Sequence, residues 1–441
     1  MNNPARSLFA LFLLALASSA FAQPVRKPNV IFILVDDMGY ADLSSYGSKD
    51  IRTPNIDRLA KEGVKLTQCY SNGPVCTPTR AAFITGRYQQ RVGLEWAIGP
   101  GIKEPGLPVE ETSIARMLKN NGYATALIGK WHLGYKPEFS PLAHGFDEFF
   151  GILSGNVDHY SHQEINGEHN LREQDKETFV EGYLTEHLAR RSVDFINTIG
   201  RQKDKPFFLY LAFNAVHWPF QPPDRPDTVR NRETWLTGTR QDYIRMMQSV
   251  DTAVGQVLDT LDQQGAGKDT LVIFTSDNGG ERLSDQGPYF NTKGTLWEGG
   301  IHVPGLVRWP AALPKGKVTN QAAITMDWTA TILAAAGVKP ERAPDGINLL
   351  PMLQGKQPVQ DRTLCWRIDR AGFRQQAIRM GKWKLVTQPT SVNLLLFDLE
   401  RDPGERRNLF YEQQDKATEL RAKLVEWDQE MNQSKPRFSV K

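Results

Sequence analysis

Asn29-Val30-Ile31-Phe32-Ile33-Leu34-Val35 is an unbroken apolar run that stops at two adjacent carboxylates, Asp36 and Asp37, followed by Met38-Gly39. A run with no polar alternation is what a strand covered on both faces looks like, and such strands belong to mostly parallel sheets. Three further runs share the design. Tyr123 to Ile128 ends in Gly129-Lys130-Trp131-His132, Phe207 to Phe213 ends in Asn214 and then His217-Trp218-Pro219, and Leu271 to Thr275 ends in Ser276-Asp277-Asn278-Gly279-Gly280. Between them lies helical periodicity: Tyr243, Met246, Met247, Val250, Ala253, Val254, Val257, Leu258 and Leu261 share one face. Glu111 to Asn120 reads as another helix, stopped near Gly122. Strand–helix repetition predicts a doubly wound α/β/α sandwich. In open α/β sheets ligands sit beyond the carboxyl ends of the strands, so the four polar clusters are expected to converge in one cleft.

The last hundred residues read differently. Leu364 to Ile368, Gln376 to Met380, Trp383 to Thr387 and Leu394 to Leu399 are short strand-like segments separated by turns, and Lys416 to Trp427 is an amphipathic helix. They predict a small antiparallel sheet packed with a helix. The expected division is 1–22 a signal peptide, 23–345 the large catalytic domain and 346–441 a small α+β subdomain. The leader rests on Arg6, the apolar run Leu8 to Ala17 and Ala20-Phe21-Ala22, with cleavage before Gln23. Export to a periplasm or the cell exterior follows, with no membrane span after cleavage.

Among 441 residues, Lys and Arg number 53 against 50 Asp and Glu, a net charge of +3 with no basic stripe, which argues against nucleic acid as a partner. Only three cysteines occur, Cys69, Cys76 and Cys365, so at least one thiol is unpaired. Spacing alone leaves a Cys69–Cys365 bridge open. Cys76 precedes a helix-like stretch and has Arg80 nearby, both of which would lower a thiol pKa; a buried structural cysteine is equally compatible with the residues.

Asp36 and Asp37 are like charges side by side, which calls for a neutralising partner. Either they cap a turn or, together with Asp277 and Asn278 at another strand end, they bind a hard cation such as Ca²⁺ or Mg²⁺. The remaining histidines have no C-x-x-C or H-E-x-x-H setting, so zinc is not expected.

Cys76-Thr77-Pro78-Thr79-Arg80 fits a C-x-P-x-R signature, and the chain resembles the formylglycine-dependent (type I) sulfatases from Pro28 to about Phe410. The likeness includes NVIFILVDDMG, TPNIDRLA, GKWHLG, HWPF, SDNGG, KGTLWEGG and LFDLERDPGE. It implies an alkaline-phosphatase-like fold with a large mixed, mostly parallel sheet. It implies further that Cys76 is oxidised to formylglycine by a maturation enzyme, and that its hydrated gem-diol is the nucleophile. Asp36, Asp37, Asp277 and Asn278 would hold one Ca²⁺ together with an oxygen of the modified Cys76. Arg80 would steady the gem-diol, and Lys130 and Lys293 would grip the sulfate. His132 would deprotonate the second hydroxyl to expel sulfate, His217 would protonate the leaving alcohol, and Asp277 would help deprotonate the attacking oxygen.

The resemblance is strongest to the arylsulfatase A and N-acetylgalactosamine-6-sulfatase type, including bacterial relatives acting on galactose-based glycans such as carrageenan or chondroitin. The expected substrate is therefore a sulfated polysaccharide or its oligosaccharides. Two segments, Gly151 to His169 and Gln221 to Arg240, are expected to form the rim, with Trp96, Asp158, His159, Tyr160 and Trp218 as substrate contacts and Trp297 as a further stacking surface. Two rival readings are a phosphate mono- or diester hydrolase of the same superfamily and a non-catalytic glycan-binding relative.

Overall fold

Along β1 (Asn29–Val35) successive side chains enter opposite faces of the sheet. Val30, Phe32 and Leu34 enter one core, with Phe83, Tyr210, Trp131 and Trp328. Ile31, Ile33 and Val35 enter a second, with Leu188, Phe195, Met246 and Val250. Period-two alternation of wholly apolar residues thus requires cover on both faces, and that cover makes the sandwich. The computed structural model describes residues 27–102, 105–202, 205–226, 231–370, 372–388 and 394–433, so the expected leader 1–22 lies outside the described residues.

The strands that join β1 are β2 (Val64–Tyr70), β3 (Ala124–Lys130), β4 (Glu148–Ile152), β5 (Leu171–Glu173), β6 (Lys176–Glu177), β7 (Phe207–Ala212), β8 (Thr270–Ser276), β9 (His302–Arg308), β10 (Lys317–Thr319) and β11 (Ala323–Ile324). Together they form an eleven-stranded sheet in the order β10-β2-β9-β8-β1-β7-β3-β4-β5-β6, with β11 paired to β2. β8, β1, β7, β3 and β4 run parallel, so the ends of β8, β1, β7 and β3 deliver Asp277, Asp36, Asn214 and Lys130 to one edge. β9 is antiparallel to both β8 and β2, which makes the sheet mixed.

One layer holds α2 (Cys76–Thr85), α3 (Ile114–Asn120) and α7 (Thr325–Ala335); the other holds α1 (Pro54–Glu62), α4 (Leu184–Gly200) and α5 (Arg240–Gln263). The short helices α6 (Glu298–Ile301) and α8 (Leu350–Leu353) complete this portion of the chain. Thr239 and Asp242 cap α5 reciprocally. α3 begins three residues later than its periodicity suggested, because the Ser113 hydroxyl accepts from Arg116 N and caps the helix there.

A second sheet is an antiparallel meander of β12 (Thr363–Arg370), β13 (Phe373–Met380), β14 (Trp383–Thr387) and β15 (Leu394–Asp398). α9 (Gln414–Gln433) buries Leu420, Leu424 and Trp427 in a third core shared with Trp366, Ile378 and Leu385, and with Tyr70, Leu296 and Ile301 from the large-sheet side. Cys69, Cys76 and Cys365 are all free and buried, so no Cys69–Cys365 bridge forms. Among the described residues no helix is long and apolar enough to cross a membrane.

Gly129 shows how closely the site edge is packed. Its φ is +121°, and a Cβ there would lie 1.8 Å from the Ala212 carbonyl oxygen on β7, so only glycine lets β3 and β7 approach just before Lys130. Phe83 of α2 stacks on Phe32 with ring centroids 3.7 Å apart and no exposure on either side chain. Phe83→Ala is expected to lower unfolding free energy by about 3–5 kcal/mol in chemical denaturation.

Candidate active site

Cys76 is the first residue of α2, whose ten residues are all buried. The motif residues after it each have a role. Thr77 Oγ1 donates to the His132 carbonyl (2.9 Å) and accepts from Ile98 N (3.2 Å). Pro78 sits in the first turn, where no intrahelical donor is lost. Thr79 Oγ1 accepts from Gly73 N (3.0 Å), closing the loop that enters the helix. Arg80, fully buried, donates through Nε and Nη2 to Asp277 Oδ2 (3.1 and 2.8 Å) and through Nη1 to the Lys130 carbonyl (2.9 Å). That carbonyl lies at the end of β3, so the C-x-P-x-R helix is riveted to two separate strand ends.

The four clusters do converge. Lys130 Nζ donates to Asp36 Oδ2 (2.6 Å), and Lys293 Nζ donates to Asp37 Oδ2 (2.6 Å). Asn278 Nδ2 donates to Asp37 Oδ1 (2.7 Å), and Asp37 N donates to Asp277 Oδ1 (3.3 Å). The Cys76 thiol lies 3.6 Å from Asp36 Oδ1, and His217 Nε2 lies 3.5 Å from Asp37 Oδ2. Asp37 and His132 both hold left-handed backbone, φ 58° and 56°, unusual conformations kept where two strand ends must aim side chains into one point.

Among the described residues, one group of His, Cys, Asp and Glu side chains has ligand atoms all within 4.8 Å of one another: Asp36, Asp37, Cys76 and His217. Asn278 Oδ1 is buried beside it without a hydrogen-bond partner, an oxygen left for a cation. Carboxylate and amide oxygens suit a hard ion, so the donor set fits Ca²⁺. That cluster contains His217 and omits Asp277, whose Oδ2 accepts from Arg80.

Burial governs the protonation states. It pushes Asp36 up to about 8, reinforced by Asp277 and opposed by Lys130. Burial also works against ionised Asp277, but Arg80 and Lys130 outweigh it and hold that carboxyl below its ordinary value. A carboxylate so stabilised is a weak base, which bears on the expected proton-accepting role of Asp277. The Cys76 thiol is pushed up to about 12 by burial despite Lys130 and Lys293. This reverses the expectation of a lowered thiol pKa: desolvation exceeds what the helix start and nearby cations return.

Both histidines are pushed well below the ordinary imidazole range, by burial first and by nearby lysines next. His132 Nε2 faces the Ile98 carbonyl (2.8 Å), which can only accept, so Nδ1 carries the lone pair and has no partner. His217 Nδ1 likewise faces the Trp218 carbonyl (2.6 Å), leaving Nε2 toward the cleft.

The rim is less uniform than expected. Trp218 is half-buried, its ring 4.3 Å from that of His217. Tyr160 is half-buried and donates to the Pro222 carbonyl. Asp158 is buried, accepting from Gln221 Nε2 (2.7 Å) and from Tyr160 N and Ser161 N. His159, also buried, stacks on Tyr183. Asp158 and His159 are therefore buried against partners from other parts of the chain, Gln221 for Asp158 and Tyr183 and Asn214 for His159. Trp96 lies under the Arg370 guanidinium, 5.0 Å from its ring centroid. Trp297 packs between Phe290 and Phe397. Thr77 and the Ile98 carbonyl, which orient His132, carry no motif of their own outside the signature.

The family model for sulfatases matches residues 28–338. This chain belongs to the sulfatase family. It is a sulfuric ester hydrolase with the fold of the alkaline phosphatase superfamily. A second family model, the N-sulphoglucosamine sulphohydrolase C-terminal region, matches residues 287–434. The N-acetylgalactosamine-6-sulfatase of Mus musculus is 32% identical across 98% of this chain and 92% of its own length. Among solved structures, Ps i-CgsB in complex with k-i-k-neocarrahexaose is 33% identical with a TM-score of 0.85, covering 94% of this chain and 95% of that one. The PsFucS1 sulfatase from Pseudoalteromonas sp. is 28% identical with a TM-score of 0.78, covering 94% and 92%.

In this sulfatase, Arg80→Gln would leave a buried Asp277 without its counterion. The expected loss is about 3–5 kcal/mol of unfolding free energy, read by chemical denaturation.

Proposed function

We propose that this sulfatase cleaves sulfate monoesters on a sulfated polysaccharide or its oligosaccharides, with galactose-based glycans such as carrageenan or chondroitin favoured, and that it does so after export to a periplasm or the cell exterior. Its nucleophile would be formylglycine made from Cys76, and Asp36, Asp37, Asp277 and Asn278 would hold one Ca²⁺ with the modified Cys76. The observation that carries this reading is the buried cluster of Cys76, Asp36, Asp37 and His217, whose ligand atoms lie within 4.8 Å of one another, with Lys130 and Lys293 paired to its carboxylates. The thiol itself, held protonated by burial, is a poor nucleophile there, which favours a modified residue. The glycan class is supported by relatives named as acting on N-acetylgalactosamine 6-sulfate and by the likeness to a protein solved with a neocarrahexaose.

Formylglycine at position 76 would supply, as its hydrate, a nucleophilic hydroxyl and a second, ionisable one. Bound Ca²⁺ supplies a fixed positive charge that neutralises the carboxylates and polarises a sulfate oxygen. The ammonium groups of Lys130 and Lys293 would grip the equatorial sulfate oxygens, where charge gathers in the transition state. Arg80 keeps Asp277 ionised and α2 aligned with β3. His132, its Nε2–H tied to Ile98, offers Nδ1 to take a proton from the second hydroxyl. His217 holds the proton for the departing oxygen on Nε2, next to Asp37. In the free enzyme its pKa is lowered by burial, Lys293 and Lys130; an anionic ester between those lysines offsets their repulsion and favours the imidazolium.

Leaving-group dependence tests the role of His217. His217→Asn should cut kcat by about 10²–10⁴-fold on a sugar sulfate, whose alkoxide leaves badly, and by much less on 4-nitrophenyl sulfate. Equal losses on both would contradict it. Purified protein turning over phosphate esters far faster than sulfate esters would overturn the sulfatase chemistry itself. For the metal, adding Ca²⁺ to chelator-treated protein should raise unfolding stability by about 2.7 kcal/mol at a hundredfold excess over its dissociation constant. A thermal scan unchanged by Ca²⁺ would count against the assigned ligands.

A further inference from the structure

Lys293 sits in a long connection between β8 and α6, and two backbone hydrogen bonds tie it and Gly294 to the neighbouring loops. Lys293 N donates to the Gly280 carbonyl (3.1 Å), and Gly294 N donates to the Pro74 carbonyl (2.8 Å). Three further anchors on the following residues come from the small sheet and the connection that leaves it. Leu296 N donates to Gln375 Oε1 of β13 (2.9 Å), on a side chain only 4% exposed. The Trp297 ring packs 5.5 Å from Phe397 of β15. Glu298 N donates to Glu405 Oε2 (2.6 Å).

At the centre of this contact, Lys384 of β14 is fully buried and ion-pairs with Glu298 Oε1 and Glu405 Oε1, both at 2.8 Å. The second oxygen of Glu298 accepts from Tyr70 Oη (2.7 Å) and meets His302 Nδ1 (2.8 Å). Tyr70 in turn accepts from Arg379 Nη1 of β13 (2.9 Å). Two carboxylates and one ammonium shut away from water tolerate little displacement, since separating them leaves an uncompensated charge. Glu298 therefore cannot drift, and Lys293 is five residues upstream on the same short segment.

We propose that Gln375 and Lys384 are positioning residues for Lys293: the small sheet clamps the Lys293–Glu298 segment and thereby sets where the Lys293 ammonium reaches in the cleft. The small sheet is then a component of the sulfate-binding apparatus without touching sulfate. The inference rests on the sulfatase reading for its kinetic test, and a second readout stands apart from activity.

Lys384→Met removes the ammonium between two buried carboxylates and can abolish folding, so Gln375→Leu is the probe. The assay is kcat/KM on 4-nitrophenyl sulfate together with inhibition by inorganic sulfate, in the wild-type and Lys293→Ala backgrounds. Gln375→Leu should lower kcat/KM and weaken sulfate inhibition by about 10–100-fold when Lys293 is present. In the Lys293→Ala background the same change should cost less than about twofold. Equal losses in both backgrounds, or a lowered melting temperature with unchanged kinetics, would overturn the proposal. Should the wild type hydrolyse no sulfate ester, the sulfatase reading fails by itself. Hydrogen–deuterium exchange then decides the clamp: faster exchange in residues 292–301 of Gln375→Leu, with 270–276 unchanged, supports it, and unchanged exchange in 292–301 overturns it.

Discussion

Asp36, Asp37 and Asp277 are three carboxylates held out of water at the ends of two neighbouring strands, and much of the site is arranged to make that tolerable. Lys130 compensates Asp36, Lys293 compensates Asp37 and Arg80 compensates Asp277. Each cation arrives from a different region of the chain: the end of β3, the connection before α6, and α2. The charge constraint therefore ties α2, the end of β3 and the connection before α6 to the ends of β1 and β8. The same groups are the ones an anionic ester and a divalent cation would engage, because a cation beside the carboxylates would release the two ammonium groups to the substrate.

Much of this was legible in the chain. β1, β3, β7 and β8 stand out since burial on both faces forces unbroken apolar runs, and their polar ends follow from the parallel arrangement. Of the residues that the resemblance implies as catalytic, Cys76, Arg80, Lys130, His217, Asp277 and Lys293 lie in contact with Asp36, Asp37 or one another. β2 and β9 were not legible. β2 mixes Lys65, Thr67 and Gln68 with apolar residues near the sheet margin, and β9 contains Pro304 and Gly305, which disguise a strand. The antiparallel insertion of β9 between β8 and β2 has no local pattern at all.

Protonation and rim contacts were also beyond sequence. A helix start and an arginine near Cys76 suggested an acidic thiol, but the depth of the pocket, a tertiary property, decides the opposite. Asp158 and His159 look like surface groups in a polar loop, yet Gln221, Asn214 and Tyr183, far along the chain, absorb them. Lys384 and Gln375 sit in unremarkable strand patterns, and only the packing of the two sheets reveals that they hold Glu298 and Leu296.

Everything in the mechanistic account turns on what residue 76 is in the working enzyme. Mass spectrometry of the tryptic peptide 66–80 from enzymatically active protein, after alkylation, asks this directly. The account predicts an aldehyde in place of the thiol at position 76, with Cys69 alkylated in the same peptide. Fully active protein in which both Cys69 and Cys76 are recovered as alkylated cysteines would contradict it.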